Sequence, residues 1–173
     1  MKNKFMRKLF GTFLGLLLFG CATVFVSGQV NTPSNTKSLN EGFGPGIEGV
    51  WRTTVTQRNC ATGVTIRTFK GLVTFDEGGT IAETSSALPP AFRSPGHGLW
   101  EKQGAKSYYG AFIFQIFNPD GSLAGTQKIK QNYQLSRFGD TYTSNGVVEI
   151  ADPNDNLIAT GCASATAVRF DPR

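Results

Sequence analysis

The chain has 173 residues, with 17 Lys and Arg against 12 Asp and Glu, one His and three Cys. That length allows one domain of about 120–130 residues plus accessory segments. A single His and three dispersed Cys do not supply the clustered ligands of a metal centre, and neither a metal nor a cofactor is expected.

The accessory segments come first. Lys2, Lys4, Arg7 and Lys8 form a positively charged start, and Leu9 to Val26 is apolar apart from Thr and Gly. Val26-Ser27-Gly28 then places small residues before a cut at Gln29, so residues 1–28 read as a secretory signal. Two alternatives stay open. The run is close to the ~20 residues of a membrane span and would serve as a retained anchor. Leu18-Phe19-Gly20-Cys21 is similar to the lipobox of bacterial lipoproteins, in which the Cys carries lipid, and only then would the membrane be a partner. Loss of the four basic residues leaves 13 basic against 12 acidic, a net charge of +1. No basic stripe remains, which argues against nucleic acid as a partner.

With Cys21 cleaved away or lipidated, Cys60 and Cys162 are an even pair that reads as a disulfide in an exported, periplasmic or extracellular domain. Two buried free thiols are the alternative. Residues 29–46 are rich in Asn, Thr, Ser, Gly and Pro and too poor in large apolar groups to offset their ordering entropy, so they read as a flexible tether.

Residues 47–173 read as the folded domain, and no segment of it carries a helical period. The expected strands are Gly49–Gln57, Val64–Asp76, Thr80–Ser85, His97–Lys102, Ser107–Phe117, Ser122–Ser136, Thr141–Ala151 and Leu157–Phe170. Turn signals separate nearly all of them, among them Glu77-Gly78-Gly79 and Asn118-Pro119-Asp120-Gly121. Asp152-Pro153-Asn154-Asp155-Asn156 reads as a further hairpin turn, since it lacks the Gly and distant Glu of an EF-hand loop. Ser86–Gly96 is the one long connection. Eight strands in chain order predict an all-β fold, an eight-stranded antiparallel up-and-down closed barrel, wide enough for packed side chains or one small ligand.

Alternation assigns the faces. In the sixth strand Lys128, Lys130, Asn132 and Gln134 mark the wet side, so Gln127, Ile129, Gln131, Tyr133 and Leu135 point inward. Two glutamines in a lining need partners, because an unsatisfied buried amide costs about 1–3 kcal/mol, and a cavity with water or ligand would supply them. The fifth strand is apolar on both sides: Tyr108, Phe112, Phe114 and Ile116 on one face, Tyr109, Ala111, Ile113 and Phe117 on the other. Its outer face is expected to meet the long loop or a second copy of the chain, giving a homo-oligomer through Ser107–Phe117.

Gly49-Val50-Trp51 at the start of the first strand resembles the Gly-x-Trp that opens lipocalins, and Arg169 in Val168-Arg169-Phe170 sits where that family packs an Arg across the indole. The resemblance extends to calycin-type barrels generally, avidin-like and fatty-acid-binding proteins included. It implies a closed end plugged by Trp51 and a ligand in the lumen. The long connection follows the third strand, whereas lipocalins place theirs after the first.

The residue cluster richest in chemistry is Arg93-Ser94-Pro95-Gly96-His97-Gly98-Leu99-Trp100. His97 can act as a general base or a hydrogen-bonding ligand contact, and its glycines allow close backbone approach. Pairing of the third and fourth strands would bring Glu83 near His97, the arrangement a proton-transferring cyclase or isomerase uses. No nucleophile elbow or phosphate-binding loop is present. The expected function is therefore binding of a small, largely apolar molecule in the lumen by Arg93, His97, Trp100, Phe112, Phe114, Gln127, Gln131 and Tyr133. A cofactor-free cyclase of the allene-oxide-cyclase-like barrel type, with His97 and Glu83 catalytic, is the enzymatic alternative. A structural, self-associating barrel without ligand is the third.

Overall fold

The computed structural model describes residues 46–173. The expected signal at 1–28, the expected tether at 29–46 except for Gly46, and Cys21 lie outside the described residues. The rest is all-β: β1 (Gly49–Arg58), β2 (Thr65–Phe75), β3 (Thr80–Ser85), β4 (Gly96–Lys102), β5 (Ser107–Phe117), β6 (Leu123–Leu135), β7 (Thr141–Ala151) and β8 (Leu157–Arg169). One 3₁₀ turn, Pro90–Phe92, is the sole helical element among the described residues. Every strand pairs antiparallel with the next and β8 returns to β1, closing an up-and-down barrel. Each strand end falls within one residue of its expected place.

The turns follow from their sequences. Gly79 adopts φ 82° and Gly121 φ 84°, a region that other L-residues enter only at a cost, and each donates its N–H to close its turn, onto Asp76 and Asn118 respectively. Asp152 Oδ1 accepts from the backbone of Asn154 and Asn156, which makes that acidic stretch a side-chain-braced hairpin turn.

Chain direction separates the two ends. Both ends of the described chain and the β2–β3, β4–β5 and β6–β7 turns share one end, which is closed. Trp51 is fully buried there, its Nε1 donating to Ile47 O at 2.8 Å and its ring edge-on to Tyr142 at 4.8 Å. Arg169 lies over the indole at 4.3 Å and donates to Gly46 O and Gly139 O, both at 2.7 Å, and to Glu48 O. One guanidinium thus ties β8 to the chain before β1 and to the β6–β7 turn; its stacking alone is worth about 0.5–2 kcal/mol.

The seam between β1 and β8 runs from Trp51 opposite Arg169 to Arg58 opposite Cys162. At the far end a Cys60–Cys162 disulfide, with Cα atoms 5.1 Å apart, staples the same two strands across 102 residues of sequence. In the chain-entropy model such a loop is worth up to about 4–5 kcal/mol. The double variant Cys60→Ser/Cys162→Ser is expected to lose a few kcal/mol in urea titrations under oxidising conditions, and no stability when both proteins are compared fully reduced.

Candidate functional site

The site is the lumen. Its cavity has a volume of about 60 Å³. It is a narrow slot, open at the end that carries the long loop.

Its floor is aromatic. Phe75, Tyr133 and Tyr142 meet edge to face, with centroids 5.2–6.1 Å apart. Burial pushes the Tyr133 hydroxyl pKa up, and the negative charge of Glu83 adds to this; Tyr142 is raised by burial, by Tyr133 and by Glu83. Both phenols are therefore held as neutral hydrogen-bonding groups. The walls are Val73, Phe112, Phe114, Ile129 and Val148, while Ala163 and Ala165 on β8 keep one side thin. The slot exists because these inward positions are small where their neighbours around the ring are large.

Glu83 and Arg93 cross this apolar space. Glu83 is on β3, facing in. Arg93 leaves the long loop, which is pinned at both ends: Ser86 N–H bonds Lys70 O, Ser94 N–H bonds Gln115 O, and Arg93 bridges to Ile116. Its guanidinium enters the lumen, donating from Nη2 to Glu83 Oε2 at 2.6 Å and from Nη1 to Glu83 Oε1 at 3.3 Å and to Ser85 Oγ. It lies 4.0 Å from the centre of the Phe114 ring. The side chains of Arg93 and Glu83 are only 4 % and 8 % exposed, so neither charge is screened by water.

Gly96 makes room for this pair. It sits opposite Glu83 across the β3–β4 ladder, and a methyl group there would lie 2.9 Å from Glu83 Oε2 and 3.0 Å from Phe112. The glycine of the Arg93–Trp100 cluster thus serves a carboxylate, as its sequence position suggests, although the carboxylate's partner is not the expected one.

Of the residues singled out from the sequence, Glu83, Arg93, Phe112, Phe114, Gln127, Gln131 and Tyr133 all line the slot. His97 does not. Gly96 and Gly98 take the inward positions of β4, so alternation turns His97 to the exposed outer wall, and the expected His97–Glu83 pair is not formed. Trp100 does face in, but four residues further along β4 it is about 13 Å deeper. There its Nε1 donates to Asp76 O at 3.0 Å, and it packs on Phe75 and Tyr108 at the closed end. The glutamines also differ from expectation: Gln131 accepts from Ser144 Oγ at 2.9 Å, and Gln127 lies half-buried nearer the mouth. No fully buried side-chain N or O among the described residues lacks a partner.

Sequence reading missed Thr53, Gln57, Arg67, Phe69, Ala163 and Ala165. The signal was there for Arg67 and Phe69, since alternation through Arg67, Phe69, Gly71, Val73 and Phe75 marks one face of β2. It was hidden because Ile66 and Leu72 on the other face are equally compatible with burial. Among the described residues no three or more His, Cys, Asp or Glu gather as a metal would need.

The chain matches no protein-family model and no curated protein. What the fold and site define is an eight-stranded closed barrel with a slender lumen and a buried ion pair in its wall.

Removing one partner of that pair leaves the other charge buried alone. Arg93→Met is expected to cost about 3–5 kcal/mol in urea unfolding, and Glu83→Leu/Arg93→Met to cost clearly less than that single change. A loss below ~1 kcal/mol in Arg93→Met would mean that the pair does not organise the loop.

Proposed function

We propose that this protein is an exported barrel that binds one small, largely apolar molecule in its lumen. The observation that carries the reading is the slot itself: it is open at one end and largely apolar along its walls, with a few polar groups converging on it, among them a paired Glu83–Arg93, Gln127, Gln131 and two neutral phenols. Open apolar clefts with a few converging polar groups are where small molecules bind. The polar groups set orientation and the walls provide most of the affinity. Export is supported by the charged and apolar start of the chain and is compatible with the disulfide. The Arg169–Trp51 stack supports the calycin-type resemblance, without which the binding reading still stands on the cavity.

The enzymatic alternative has less to work with. His97 faces away from the lumen, and Glu83 already accepts two hydrogen bonds from Arg93, so neither is poised to take a proton from a bound substrate. The structural alternative draws on the outer face around β5. Ile113 is 41 % exposed and Leu99 on the neighbouring strand 68 % exposed, and the long loop joins only the far end of β5, so this face is open to a second copy.

A neutral probe separates these readings. N-phenyl-1-naphthylamine is expected to bind wild-type protein saturably, with a fluorescence rise and a stoichiometry of one. Ala165→Phe, which fills the slot from β8, is expected to weaken that binding at least about tenfold with its far-ultraviolet circular dichroism unchanged. Leu99→Phe on the outer wall should leave it unaltered. Binding that survives a filled slot but responds to Leu99→Phe would overturn lumen binding in favour of the outer face.

A further inference from the structure

Resting on the lumen-binding reading, we infer that the ligand is a monoanionic amphiphile whose acidic head sits on Arg67 at the mouth and whose slender apolar body fills the slot below. The charges of the lining carry this. Three charged side chains line the cavity: Glu83, Arg93 and Arg67. The first two neutralise one another at 2.6 Å. Arg67 has no carboxylate partner among the described residues; its contacts are with neutral oxygens, Nε donating to Gln57 Oε1 at 2.8 Å and Nη1 to Ala87 O at 2.9 Å. The lining therefore carries one uncompensated positive charge, and it sits at the entrance.

The two contacts also fix where that charge points. Gln57 is on β1 and Ala87 is in the long loop, so the guanidinium is held from two sides of the rim before any ligand arrives. Its Cζ lies 5.4 Å from the Phe69 ring, the next inward residue on β2, so the flat of the group borders apolar wall. These contacts use Nε and Nη1 and leave Nη2 available, and a guanidinium edge presents the donors that a carboxylate or sulfonate accepts. Below it lie the apolar side chains of the lining, among them Phe69, Val73, Phe112 and Phe114, around a cavity of small volume that favours a slender body. From Arg67 down to Val73, opposite Glu83, six residues of tilted strand give an apolar run of roughly 15 Å. A dianion would leave one charge unpaired against the walls, and a cation would meet Arg67 head on.

Two probes that share one body test the inference: 1-anilinonaphthalene-8-sulfonate, a monoanion, and neutral N-phenyl-1-naphthylamine. Wild-type protein is expected to bind the anion at least about fivefold more tightly at low ionic strength, and the advantage should shrink in 0.5 M salt, which is on the order of a tenfold change for one exposed charge pair at most. Arg67→Met is expected to weaken anion binding about tenfold while the neutral probe changes less than about twofold, and Arg67→Lys to restore part of the difference. Equal loss for both probes would show that Arg67 only props the loop through Ala87 and would overturn the inference. So would equal wild-type affinities. Binding of neither probe would remove the lumen-binding reading and this inference with it.

Discussion

Closure of the sheet along the β1–β8 seam is the constraint from which the lumen follows. Eight strands enclose an interior just wide enough to be filled by side chains, so whether any space remains depends on which residues the seam turns inward. Here β8 turns in Ala163, Ala165 and Ala167, and the slot lies against the first two. The seam is then secured at both ends by different chemistry. Arg169 over Trp51 holds the closed end through stacking and backbone carbonyls, and the Cys60–Cys162 disulfide holds the mouth end. A strand of small residues offers little side-chain packing across its ladders, which gives the two clamps a physical purpose.

The buried Glu83–Arg93 pair is a second organising device. An ion pair out of water contributes little net stability by itself, but it punishes any arrangement that separates its partners. Because Arg93 comes from the long Ser86–Pro95 connection and Glu83 from the wall, the pair fixes the loop over one side of the mouth. The loop's Pro89, Pro90 and 3₁₀ turn limit its freedom further. The mouth is thus preformed, and binding there need not bear a large ordering cost.

Much of this was legible in the sequence. Strand limits follow from Gly-, Asn- and Asp-containing turns, and alternation in β5 and β6 assigns the inner and outer faces correctly because Lys128, Lys130 and Asn132 mark solvent without ambiguity. The lumen residues Phe112, Phe114, Gln127, Gln131 and Tyr133 follow from the same rule. His97 was misplaced for a local reason. In Gly96-His97-Gly98 the flanking residues have no side chain, so nothing in the sequence says which face of β4 is inward, and the eye goes to the imidazole. Arg67 was missed because both faces of β2 carry a cation, Arg67 inward and Lys70 outward, so charge does not tell the two faces apart. The Glu83–Arg93 pair joins residues whose geometry depends on a loop conformation, which no periodicity encodes.

Where a ligand sits decides between the lumen and the outer wall. Amide and methyl chemical shifts recorded while N-phenyl-1-naphthylamine is titrated into isotopically labelled protein give that answer residue by residue. Lumen binding predicts changes concentrated on inward positions, Val55, Phe69, Ile129, Val148, Ala163 and Ala165, with Arg93 and the Ala87–Leu88 rim following. Shifts confined to the outer wall, at Leu72, Leu99 and Ile113, would contradict it.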